Sequence, residues 1–150
     1  QAAIGREQLK RIPEMIRERC VLAKNYERML KGIPGLLLPH EPDWARSNWQ
    51  SYCVRLPFGC DQRRVMQKLL DRGISTRRGV MCAHREPAYE LGFWTCGTDR
   101  SACGCGPSQC RDLQESERAQ DQCVILPLFY EMTETEQSLI VQVLKKALAL

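Results

Sequence analysis

The stretch NWQSYCVRLPFGCDQRRVMQKLLDRGISTRRGVMCAHREPAY, Asn48 to Tyr89, decides the fold. In its first part Tyr52, Val54 and Leu56 put apolar side chains on alternate positions, and β-branched and aromatic residues are mixed in, which suits a half-buried strand. Pro57 closes it. Gly59 and Asp61 predict a turn and an N-cap, because the Asp61 carboxylate can accept from the orphan amides of a following first turn. Val65, Met66, Leu69 and Leu70 then recur at three- and four-residue steps as one apolar stripe, with Arg63, Arg64, Lys68 and Arg72 outside it. Gly73 reads as the helix end, where a left-handed backbone is common and glycine adopts it without strain. Ile74 to Met81 is expected to return as a second strand, delivering Arg77, Arg78 and the loop Cys82 to Tyr89 to one edge.

Upstream, Leu9, Ile12, Ile16, Cys20, Ala23, Tyr26 and Leu30 keep helical spacing up to Gly32, the pattern of a long amphipathic helix. Pro13 removes an amide and crowds the preceding turn, so a kink or break is expected near Ile12. The first nine residues lack an initiator methionine and a cap and already read as helix, as a chain would that starts inside an element. Arg17-Glu18-Arg19 and Glu27-Arg28 read as a solvated face. Beyond the Gly32 to Gly35 turn, Leu36-Leu37-Leu38 suits a short edge strand. His40 falls in a proline-flanked surface turn, and Trp44 and Trp49 are expected to cover core edges.

Downstream, Gly92 to Arg111 has no periodicity and reads as a long irregular loop carrying Cys96, Cys103, Cys105 and Cys110. Helix is expected to resume over Glu115 to Gln122. Cys123 to Phe129 is a short apolar run containing Pro127, consistent with a buried strand and an exit turn. Thr133-Glu134-Thr135-Glu136 fits a capping box. The last helix is expected to bury Leu139, Ile140, Val143, Leu144 and Leu148.

At 150 residues the chain is read as one domain, and 43% apolar with 27% well-mixed charged residues excludes a disordered tail or a membrane span. A formal charge of +4 without a basic stripe interleaved with aromatics argues against nucleic-acid binding. Nine cysteines with no signal peptide suggest reduced thiols in the cytoplasm, and an odd number leaves at least one thiol free in any setting. The four loop cysteines, separated by six, one and four residues, leave zinc, disulfides or free thiols open. Free thiols are the reading adopted, because the spacing is not that of paired zinc knuckles.

Four stretches, in order, carry a resemblance: QAAIGREQL at Gln1 to Leu9, RLPFGCDQRRVMQKLLDRGIST at Arg55 to Thr76, AHREPAY at Ala83 to Tyr89, and SERAQDQCVILPLFYEMTETEQ at Ser116 to Gln137. Together they resemble the C-terminal part of the DegT/StrS-type family of pyridoxal-phosphate-dependent sugar aminotransferases. The resemblance implies the small domain of a fold-type-I enzyme: an α/β sandwich with a three-stranded, mostly antiparallel sheet, helices on one face, and a long helix leading in. It implies amino-group transfer to a nucleotide-linked keto sugar or keto-cyclitol, a homo-oligomer, and substrate contacts from Arg77, Arg78, His84 and Tyr89. It also implies that the Schiff-base lysine and the pyridoxal phosphate cradle lie upstream of Gln1, so that Lys10, Lys24, Lys31, Lys68, Lys145 and Lys146 are not that lysine and the chain alone is inactive. Planar guanidinium groups at Arg77 and Arg78 suit a diphosphate. The bland alternatives are a solvated or salt-bridged arginine pair and a surface or capping histidine. The segment between Thr76 and His84 is shorter than in many relatives and lacks their usual histidine-tyrosine pair. A rival reading is a stand-alone binding or assembly module, zinc-stapled through the cysteine loop, that keeps the fold without the chemistry.

Overall fold

The computed structural model describes residues 1–89 and 111–148. Its elements are α1 (Ala2–Leu30), β1 (Tyr52–Arg55), α2 (Gln62–Leu70), β2 (Arg77–Arg78), α3 (Gln114–Gln122), β3 (Cys123–Leu126) and α4 (Glu134–Ala147). The sheet order is β1-β3-β2, with both pairings antiparallel. β1 and β2 therefore run the same way, joined through α2, and β3 returns between them. Leu37 exchanges two backbone hydrogen bonds of 2.9 Å with Arg55, so the leucine run adds a single bridge outside β1.

Local chemistry sets the element ends. The Asp61 carboxylate accepts from the Arg64 amide at 3.0 Å and starts α2. Gly73 ends it at φ +75°, where the chain turns so that the Ile74 amide reaches the Leu69 carbonyl at 3.0 Å. At α4 the Thr133 hydroxyl accepts from the Glu136 amide while Glu136 accepts from the Thr133 amide at 2.7 Å, a complete capping box.

The sheet turns one face to the core. Tyr52 and Val54 of β1 and Val124 and Leu126 of β3 are buried, whereas Cys53, Arg55, Cys123 and Ile125 on the other face are half-buried. Against the buried face pack Val65 and Leu69 from α2, Ile140, Val141 and Leu144 from α4, and Leu22, Ala23, Tyr26 and Leu30 from α1. Gln137 is fully buried in this layer, donating to the Leu22 carbonyl at 2.9 Å.

Several expectations change. The second strand is not Ile74 to Met81 but only Arg77–Arg78, followed by one further backbone bond from the Gly79 amide to the Cys123 carbonyl at 3.0 Å. α1 runs unbroken through Pro13. Its apolar stripe is covered only in the second half, and Leu9 and Ile12 are exposed. Trp49 stacks on Tyr52 with ring centres 5.8 Å apart, but Trp44 is 88% exposed and covers nothing. On α4 the buried face is turned by about one residue: Leu139 is exposed, while Gln137, Val141 and Ala147 are inside. The cysteine-rich stretch expected near 92–112 lies almost entirely outside the described residues.

Candidate functional site

Arg77 and Arg78 form β2, the edge of the sheet, pairing with Ile125 and Val124 of β3. Neighbours on a strand project to opposite faces. Arg77 accordingly lines a cavity of about 540 Å³ with Gln50, Ser51, Ser75, Ile125 and Leu128. Arg78 lines a different one, about 460 Å³, with Arg63, Met66, Gln67, Ser75 and Thr76. Among the described residues neither wall contains a carboxylate, so Arg77 stands among hydroxyls, an amide and apolar carbons, and Arg78 among the same groups and Arg63. The geometry does not aim the two arginines at one diphosphate.

His84 is placed differently. It sits in a one-turn 3-10 helix, Ala83–Arg85, and its ring is buried with Nε2 2.8 Å from Glu117 Oε1. Arg85 lies beside it, 3.4 Å from the other Glu117 oxygen, and donates to Asp121 at 2.8 Å. The Cys82 amide donates to the Gln120 side-chain oxygen at 2.6 Å. Gln120 and Asp121 follow Glu117 by three and four residues, so a single face of α3 holds the whole turn. Sequence reading missed these three; the available signal was an acid-amide-acid stripe at helical spacing in SERAQDQ, opposite the cations of AHRE. Burial pushes the Cys82 thiol up, only partly offset by the Arg85 charge, which keeps that thiol protonated. Tyr89, about half exposed, leaves the same segment with its amide bonded to the Glu86 carbonyl at 2.9 Å. The four expected contact residues thus lie on one continuous segment but in four places: two cavities, an ion-paired turn and an open surface.

Five described cysteines, Cys20, Cys53, Cys60, Cys82 and Cys123, carry no disulfide. Cys53 and Cys123 hydrogen-bond across adjacent strands, and burial, then the Cys123 neighbour, pushes the Cys53 thiol up to about 11. A Cβ on Gly79 would fall 2.5 Å from Cys123 Cβ and 2.7 Å from Cys53 Sγ, which is why only glycine fits there. Among the described residues no cluster of three or more His, Cys, Asp or Glu is placed to hold a metal. Cys96, Cys103, Cys105 and Cys110 lie outside those residues, as does the question of zinc.

With the fold in place, its class follows. The chain belongs to the DegT/DnrJ/EryC1/StrS aminotransferase family, whose model matches residues 1–145. Within that family it is 41% identical over 90 residues to a dTDP-4-dehydro-2,3,6-trideoxy-D-glucose 4-aminotransferase of Saccharopolyspora spinosa, covering 59% of this chain and 23% of that protein. It is 34% identical over 96 residues to the erythromycin biosynthesis sensory transduction protein EryC1 of Saccharopolyspora erythraea, covering 62% of this chain and 25% of that one. The crystal structure of the aminotransferase TlmJ from Streptoalloteichus hindustanus superposes with a TM-score of 0.75 at 25% identity, over 99% of this chain and 35% of TlmJ. The chain therefore spans about a quarter of the length of these curated relatives and about a third of the solved structure.

The family implies pyridoxal phosphate, which needs an imine-forming lysine, a carboxylate for the ring nitrogen and a phosphate cradle. The described lysines do not offer that set. Lys10 is exposed and paired with Glu7 at 2.7 Å, and Lys68 donates to the Ala147 carbonyl at 3.1 Å. Lys31, Lys145 and Lys146 are exposed and line none of the cavities described. Lys24 lines a cavity of only about 210 Å³ between α1 and the segment after Leu38, below the usual range of about 300–1,000 Å³ for ligand sites.

Proposed function

We propose that the chain serves as the substrate-side portion of a sugar aminotransferase that acts on a nucleotide-linked keto sugar. Its Arg77 cavity receives the diphosphate. The observation that carries this reading is the Arg77 guanidinium at the sheet edge, beside two serine hydroxyls and the Gln50 amide, in a wall without carboxylates among the described residues. A guanidinium in such a wall offers two parallel donors to phosphate oxygens. Arg78, in the neighbouring cavity, raises the local positive potential without gripping the same phosphates. His84 acts through the turn it anchors on α3, fixing where Tyr89 meets the substrate. Pyridoxal phosphate supplies the amino-group shuttle and is held by residues other than those described here, so the 150-residue chain alone does not transaminate. Exposed Ile4, Leu9 and Ile12 on α1 support a homo-oligomeric assembly, and the unpaired thiols support a reducing, cytoplasmic setting. No described helix is long and apolar enough to cross a membrane.

Calorimetric titration of dTDP-glucose into the chain tests the reading. Saturable binding is expected, weakened about tenfold or more by Arg77→Ala and by a smaller factor by Arg78→Ala. Equal affinity of Arg77→Ala and the parent chain would overturn it. Pyridoxal phosphate added to the same protein is expected to give no spectral change with a one-to-one endpoint; such an endpoint would place the cofactor lysine within these residues.

A further inference from the structure

Cys53 and Cys123 belong neither to the core nor to the sheet-edge cavities. Both are half-buried on the face of the sheet turned away from the core, one on β1 and one on β3. In the antiparallel register Cys53 lies opposite Ile125 and Cys123 opposite Arg55, so the two cysteines are diagonal neighbours on one face. Arg55 spends its backbone N–H and C=O on Leu37, at 2.9 Å each, on the outer side of β1. Arg55 and Cys53 therefore sit at non-hydrogen-bonded positions toward β3, where the side chains of two strands come closest.

A diagonal pair is ordinarily too wide for a covalent bridge. Diagonal neighbours stand about 7–8 Å apart, and a disulfide holds its two Cβ atoms at about 3.5–4.5 Å. Here the Cys53 side chain crosses that gap. The point where a Cβ of Gly79 would stand is 2.5 Å from Cys123 Cβ and 2.7 Å from Cys53 Sγ, so the Cys53 sulfur leans over β3 to the flank of Cys123. Glycine at 79 leaves the space in which the two thiols meet. The other described thiols are spread over separate elements: Cys20 on α1, Cys60 in the turn before α2, and Cys82 in the turn held by α3.

We propose that Cys53 and Cys123 form a reversible redox site, a dithiol that a low-molecular-weight disulfide such as glutathione disulfide converts to a bridge between β1 and β3. One cysteine thiolate attacks the reagent, whose S–S bond breaks and releases one small thiol. The other cysteine then displaces the second small thiol from the mixed disulfide. The protein gives up two protons and two electrons, and the reagent leaves as two thiols. A bridge between diagonal positions draws the strands inside their resting spacing, and bridges under such tension are the readily reduced ones, so an excess of the small thiol reopens it. β3 is the central strand, and the Gly79 amide bonds the Cys123 carbonyl at 3.0 Å. The closed bridge thus joins β1 covalently to the residue that also holds the end of β2.

The test is incubation of the folded chain with glutathione disulfide, alkylation of the remaining thiols, and peptide masses after trypsin. Cleavage after arginine and lysine leaves Cys53 alone in residues 47–55 and Cys123 alone in residues 119–145, so the bridge appears as one linked mass. That mass is expected to be the main fate of Cys53 and to disappear with excess reduced glutathione. Its yield is expected to fall about fivefold or more in denaturing urea, where closure of short loops favours cysteines nearer in sequence. Cys53→Ser is expected to abolish the linked mass and leave Cys123 as a mixed disulfide with glutathione, whereas Cys60→Ser leaves the mass unchanged. The oxidised chain is expected to unfold at higher urea than the reduced one, a difference that Cys53→Ser removes. Recovery of Cys53 and Cys123 as alkylated thiols after oxidation, a bridge from either to another cysteine as its main product, or the same yield in urea as in buffer would overturn the proposal.

Discussion

The two halves of α1 share one period and meet opposite fates. Ile4, Leu9 and Ile12 are 68, 63 and 41% exposed, whereas Leu22, Ala23, Tyr26 and Leu30 are all below a tenth. The second half is held by partners from far along the chain: Gln137 bonds the Leu22 carbonyl, Tyr26 bonds the Pro127 carbonyl, and Arg28 pairs with Glu134. The first half, which also contains Pro13, has the Arg11 guanidinium over the Tyr130 ring, 5.4 Å from its centre, while its apolar stripe stays exposed. An apolar stripe locates the face of a helix, but whether that face is covered depends on elements that may be a hundred residues away.

The widest separation between the halves is expected from truncating one leucine in each. Leu30→Ala removes a side chain that is 1% exposed and leaves a cavity under the sheet, so a loss of about 2–5 kcal/mol is expected in urea unfolding. Leu9→Ala, at 63% exposure, is expected to change stability by less than about 0.5 kcal/mol. Equal losses would show that the first half is packed in solution and would break the comparison.

A smaller effect is expected from the polar clamp on the covered half. Gln137 is wholly buried, gives its amide to Leu22 and lies 3.4 Å from the Asn25 amide. Gln137→Leu nearly keeps the volume but deletes those bonds and leaves Asn25 with one partner fewer. A loss of about 1–3 kcal/mol is expected, readable in the same urea titration.

Alkaline pH sharpens the contrast by a different route. Burial pushes up Tyr26, Tyr52 and Cys53, the last two to about 12 and 11. Each group keeps its proton in the folded chain after the unfolded chain has lost it, so stability is full below about pH 9 and falls as pH rises through about 9 to 12. The measurement is unfolding midpoint against pH, with Tyr52→Phe expected to flatten the upper part of the decline. A midpoint that rose over that range would refute the assigned burial of these rings.

Much of the fold could be read locally. β1, the Asp61 cap, the Gly73 stop and the Thr133 capping box each depend on a handful of adjacent residues, and each stands where the sequence put it. What could not be read was set by contact between distant segments. β2 is two residues long, and its continuation at Gly79 lies so close to Cys53 and Cys123 that a Cβ there would clash with both. Leu139 faces out and Val141 in because α4 packs against both α1 and α2, which turns its buried face away from the stripe its leucines suggest. The same held for the site. Arg77 and Arg78 were singled out by residue type, but their division between two cavities needed the strand's alternation. His84 was singled out by position, yet its hydrogen-bond partner is Glu117, 33 residues later.

The smallest expected global effect comes from Pro13→Ala, and it tests the division within α1 most directly. A proline inside a helix forfeits a hydrogen bond and crowds the turn before it, which costs about 3 kcal/mol where that helix is part of the cooperative unit. If the first half of α1 opens independently of the core, restoring the amide stabilises only residues 2–12. Amide exchange should then slow in that segment, with the urea midpoint of the whole chain unchanged. A rise in global stability approaching 3 kcal/mol would mean that both halves of α1 unfold with the core.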